Sequence, residues 1–233
     1  MLRFAPATAA LALAVFAQVA AAQQKLPFDP ARLVPYSDSM VLMVQGRELG
    51  FQRTSLERTG SGFRFTEETR MASVVEQKTV LEVDAKGAVR SIEHSGTARG
   101  KPMRISARYS GNLLTGEALT PTSGDSVLRL NVTLPDGHVD DNFMYTLVRA
   151  LPWTSSARWT FPLVSSGRGD FIMRTLEVLG QEKITVPAGT FDTYRVRDSG
   201  GPSTMNIFVT TSQPHRIVKM AVENSPMEFL LVR

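Results

Sequence analysis

Apolar and polar residues alternate one for one through much of this chain, and that period of two leaves few folds open. Met103-Arg104-Ile105-Ser106-Ala107-Arg108-Tyr109 is the clearest run, and Leu128-Arg129-Leu130-Asn131-Val132-Thr133-Leu134 is a second. Phe63-Arg64-Phe65, Met205-Asn206-Ile207 and Ile217-Val218-Lys219-Met220-Ala221-Val222 continue the pattern. Successive side chains of a strand point to opposite faces, so the alternation predicts strands packed on one face and wet on the other. Turn-forming residues punctuate the runs at Asp84–Gly87, Gly100-Lys101-Pro102, Ser110-Gly111-Asn112 and Asp136-Gly137. Turns about every 10 residues predict an antiparallel meander, sandwich or open barrel rather than βαβ units. The expected fold class is all-β: a strongly curved antiparallel sheet, an open or half barrel, with one or two short helices packed across it.

One segment departs from the rhythm. Between Asp140 and Leu151, the residues Phe143, Leu147 and Leu151 fall at i, i+4 and i+8, the stripe of an amphipathic helix. Asp140 or Asp141 can cap its start, and Pro152 ends it. The stripe must face apolar surface, either a cavity beneath a helical lid or a solid core. Trp153 and Trp159 follow; both read first as core packing, while in the cavity reading Trp153 sits at the rim. Phe143, Leu147, Leu151 and Trp153 are therefore the candidate lining of a ligand cavity. Methionines from Met40 to Met227 suit an adaptable lining, and equally an ordinary core.

The chain opens with Arg3, an apolar run from Ala9 to Ala17, and Ala20-Ala21-Ala22 before Gln23. This is the pattern of a cleavable signal peptide over residues 1–22. The run is too short, and too interrupted by Gln18, for a spanning helix, so no stable membrane anchor is expected. Residues 23–38, with Pro27, Pro30 and Pro35, read as an extended lead-in, and residues 39–233 as a single β-rich domain. The expected location is periplasmic or secreted.

Composition narrows the chemistry. There is no cysteine, which excludes disulfides, thiol catalysis and iron–sulfur ligation. A formal charge of +4 comes from 26 basic and 22 acidic residues interleaved along the chain, without the basic run or face that nucleic-acid binding needs. His94, His138 and His215 lack metal-ligand spacing. Gly96–Pro102 has too few residues between its glycines for a phosphate loop, and Pro102 where a hydroxyl is required. Asp198-Ser199-Gly200 spells an aspartic-protease triplet without a second copy, beside turn-forming Gly201-Pro202. No catalytic residue, cofactor site or metal site is assigned.

Ile184-Thr185-Val186-Pro187-Ala188-Gly189-Thr190-Phe191 reads as a hairpin. Pro187 sets φ at the second turn position, and Gly189 stands at the fourth. This block, followed by Thr193-Tyr194-Arg195-Val196, resembles the signature of an exported bacterial family, domain of unknown function 3108. The Asp140–Leu151 segment with Pro152 resembles that family's short helix, and Gln213–Lys219 the approach to its final strand. The likeness runs in order over about residues 40 to 233. It implies an exported antiparallel β domain similar to the curved half-barrel of periplasmic lipoprotein carriers, and it brings no activity and no functional residues.

Two functions fit these expectations, neither enzymatic. One is a carrier or binder of a lipid or other amphiphile, held in the curve of the sheet beneath the helix. The other is an envelope structural or interaction domain with a filled core and a protein partner. An empty apolar interior favours the first, and a packed interior the second.

Overall fold

The computed structural model describes residues 26–121, 123 and 126–233. The segment expected to be a signal peptide, 1–22, lies outside the described residues.

All the strands join one sheet. The first half is an up-and-down meander of β1 (Tyr36–Val44), β2 (Arg47–Arg58), β3 (Gly62–Met71), β4 (Val75–Asp84), β5 (Val89–Ala98), β6 (Lys101–Ser110), β7 (Leu113–Leu119) and β8 (Leu128–Thr133). The chain then crosses to the opposite edge. It returns through β9 (Val139–Asp140), β10 (Arg158–Ser165), β11 (Asp170–Val186), β12 (Gly189–Ser199), β13 (Met205–Thr210), β14 (Ile217–Val222) and β15 (Met227–Leu231). The last strand pairs with the first, Met40 opposite Leu231, so the two halves meet in the middle of the sheet. Neighbouring strands are antiparallel throughout, except β9 beside β10.

The sheet stays unclosed but curls until its ends touch through side chains. A Cβ placed on Gly169, in the β10–β11 turn, would lie 3.0 Å from Leu130 and 3.1 Å from Val132 of β8 at the far edge. The alternation drives this curvature, because one phase of each strand is buried: Phe63 and Phe65 of β3, Leu81 and Val83 of β4, Ile105, Ala107 and Tyr109 of β6. Their opposite phase, Arg64, Arg104 and Arg108 among them, faces water.

After edge strand β9, residues 141–153 occupy the concave side, including the one α-helix among the described residues, α1 (Met144–Val148). Both halves of the sheet touch this plug. Phe143 packs edge-on against Phe65 with ring centroids 6.0 Å apart. Thr146 Oγ1 is 2.8 Å from Tyr36 Oη, and Trp153 meets Trp159 of β10 at 4.9 Å.

The helix is shorter than the expected Asp140–Leu151. The Asp140 carboxylate accepts from the Asn142 backbone N–H at 2.8 Å, which makes a tight turn before the helix instead of a cap on it. The N-cap is Phe143, with no side-chain cap bond. At the other end Ala150 N–H bonds Leu147 O, three residues back, so the last turn tightens before Pro152. The hairpin is as expected: β11 and β12 pair from Val186 opposite Gly189, across Pro187-Ala188, and Ala188 N–H donates to Leu231 O at 3.0 Å.

Candidate functional site

Antiparallel pairing brings the starts of β1 and β5, the ends of β2, β4 and β6, and the β13–β14 loop to one rim of the curled sheet. The described part of the expected lead-in before β1, from Leu26 to Pro35, crosses this rim as a strap. Leu26 and Leu33 are buried in the core. Phe28 lies over Gly87 of the β4–β5 turn, so closely that a Cβ there would sit 2.3 Å from its ring. Between them Pro30–Arg32 forms one 3-10 turn, capped by Asp29, whose carboxylate accepts from Ala31 N–H at 3.0 Å.

Two openings lie on this rim, one on each side of the plug. The first, about 290 Å³, is bounded by strap residues 32–35, Tyr36, Asp38 and Leu56 of the sheet, Thr146 and Arg149 of the plug, and Pro214–Arg216. Asp38 shares the phase of Met40 and Leu42 and so points inward, where a bare carboxylate would be costly. It accepts from Arg149 Nη1 and from Arg216 Nη2, the latter at 2.7 Å. The Arg149 guanidinium also covers the Tyr36 ring, 3.6 Å from its centroid. Beside them His215 Nδ1 donates to Thr210 O at 2.7 Å. Two guanidiniums thus meet one carboxylate, and the opening carries surplus positive charge.

The second opening, about 370 Å³, is bounded by the β4–β5 turn, Tyr109, Asn112, His138, Asp140, Phe143 and Leu147. Tyr109 Oη donates to Asp140, and the His138 ring stacks on Tyr109 at 5.9 Å. Behind them Asn142 Nδ2 donates to Asp140 at 3.0 Å, to Asp141 at 2.7 Å and to Ser166 Oγ at 3.1 Å. Burial raises the pKa of both carboxylates, and the charge of Asp140 helps push Asp141 up to about 8. Burial, then the adjacent Asp140, raises that of the Tyr109 hydroxyl.

A third space, about 40 Å³, lies between the plug and β1–β3, with Glu67 beside Gln52, Asn142 and Tyr145. Burial pushes Glu67 up to about 7, and hydrogen bonds from Gln52 and Thr69 offset this only in part.

The four residues expected to line a ligand cavity are all buried: Phe143 1%, Leu147 7%, Leu151 0% and Trp153 7% exposed. Phe143 and Leu147 border the second opening, whereas Leu151 and Trp153 border neither. Of the two readings of Trp153, core packing holds and the rim placement does not. Its Nε1–H donates to Val148 O at 2.8 Å, which folds the indole back under the helix. The protease-like triplet has a structural place: buried Asp198 of β12 accepts from Arg174 Nη2 of β11 at 2.7 Å.

Sequence reasoning missed Asp38, Tyr36, Arg149 and Arg216. Asp38 was detectable, because it falls on the inward phase of an alternating strand; its arginine partners come from the plug and a distant loop.

No curated protein matches the chain. Among solved structures, it is similar to a crystal structure of a beta-barrel-like protein of domain of unknown function DUF1849 from Brucella abortus. The identity is 14% and the TM-score 0.55, over 87% of this chain and 97% of that one. At that identity the likeness speaks for the fold. The family model described as protein of unknown function (DUF3108) matches residues 38–226, most of the sheet and all of the plug, and the chain belongs to that family.

Proposed function

We propose that this protein is a non-enzymatic periplasmic or secreted recognition domain with a filled core, which meets its ligand or partner at the rim and not inside the curled sheet. The observation that carries this reading is the full burial of Phe143, Val148 and Leu151 in a plug that meets Phe65 in one half of the sheet and Trp159 in the other, where a lipid carrier would keep open space. Large aliphatic and aromatic side chains supply most of the favourable burial energy, about 1.5–3 kcal/mol each. A plug this well buried is therefore costly to displace by an acyl chain.

A second reading, an amphiphile carrier, draws on one feature: Phe143 and Leu147 border the second opening. It requires the plug to move outward so that a chain can follow. Native mass spectrometry of the exported protein separates the two. The expected result is polypeptide without a diacyl lipid; a stoichiometric diacyl adduct would overturn the filled-core reading.

A further inference from the structure

We infer that the first opening, between the strap and the end of the plug, is a binding site for a small organic anion: a carboxylate or phosphate on a short apolar body. The inference deepens the filled-core reading and rests on it only in placing the ligand at the rim.

The charge inventory comes first. A guanidinium carries five N–H donors in a planar fork. The bonds to Asp38 use Nη1 of Arg149 and Nη2 of Arg216. Asp38 is the one carboxylate among the residues lining the opening, against the guanidiniums of Arg149 and Arg216 and that of Arg32, which pairs with Asp29 at 3.9 Å. The stack on Tyr36 and the bond to Asp38 fix Arg149 from two sides, so its fork is preorganised. Arg216 is more accessible, its side chain 33% exposed, and can turn toward an incoming group. An anion with two oxygens matches this fork geometry and forms the stronger, charge-assisted class of hydrogen bond.

The walls come next. Leu33, Val34, Pro35 and Leu56 give the opening an apolar side, and its volume of about 290 Å³ is at the small end of ligand pockets. That admits a short aliphatic or single-ring body and excludes a diacyl lipid. Asp38 acts as an internal competitor, holding the arginines until a ligand oxygen shares them.

Isothermal titration of the folded protein with hexanoate, hexyl phosphate, inorganic phosphate and neutral hexanol tests this. Hexanoate or hexyl phosphate is expected to bind and hexanol not. Arg216→Gln should weaken binding about tenfold or more. Asp38→Asn should tighten it, since it removes the competitor. Opposite shifts from two neighbouring substitutions cannot come from a general folding defect. Inorganic phosphate binding as well as hexyl phosphate would support the anion site and assign it to the free anion, without an apolar body. Hexanol binding equal to hexanoate, absence of millimolar binding by every anion, or an unchanged affinity in Arg216→Gln would each overturn the inference. A diacyl adduct in the mass spectrum would overturn the filled core and leave this titration unaffected.

Discussion

Arg149 covers the face of Tyr36, its guanidinium carbon 3.6 Å from the ring centroid, and so fastens the end of the internal plug to the first strand of the sheet. The same guanidinium bonds Asp38, two residues along that strand. One side chain thereby joins sequence positions more than a hundred residues apart.

Arg149→Ala removes the stack and leaves Asp38 with Arg216 alone. We expect a loss of about 2–4 kcal/mol, combining a desolvated cation–π contact with a weakened buried ion pair. Urea unfolding followed by tryptophan fluorescence measures it. A loss no larger than an exposed ion pair gives, under about 1 kcal/mol, would mean that the plug is not held here.

Glu67 sets a pH dependence. Its folded-state pKa of about 7 lies above the ordinary carboxylate value, so the fold favours the protonated form. The penalty for ionising it is absent at low pH, grows as pH rises from about 4.5 through 7, and is complete above that. Asp141, raised to about 8, acts with the same sign. Glu67→Gln is therefore expected to be near neutral at about pH 4.5 and stabilising by about 1–3 kcal/mol at about pH 8.5. Thermal unfolding of both proteins across that range checks it; a gain that is constant with pH would contradict the assignment.

The alternation exposed most of the fold in advance, because inward Phe63, Phe65, Ile105 and Leu130 leave a regular trace in the sequence. Strand order was less legible. Nothing local to β1 or β15 announces that Met40 lies opposite Leu231, since that pairing depends on where the chain crosses after β8. The plug was seen as a helix and overextended. Its apolar spacing persists from Phe143 to Leu151, but the backbone turn made by Asp140 and Asn142 competes with helix at the start. The rim site was hidden because its arginines look like ordinary surface charge until the loops that carry them converge on Asp38.

Gly189 has φ of +133° at the strand end of the Pro187-Ala188 turn, a conformation that strains any residue with a Cβ. Gly189→Val should cost about 1–3 kcal/mol. Since Ala188 bonds Leu231, the same change should speed amide exchange at Ala188. Calorimetry and hydrogen exchange check the two effects; an unchanged melting temperature would contradict the turn assignment.

The filled interior is tested most directly at Leu151, which is 0% exposed, sits on the plug and borders neither opening. Equilibrium unfolding of Leu151→Trp in urea is the measurement. In a packed core the larger ring forces its neighbours apart, and the expected result is a loss of about 1–3 kcal/mol. Unchanged stability, with the indole accommodated, would contradict the filled core and reveal the open space that a carrier requires.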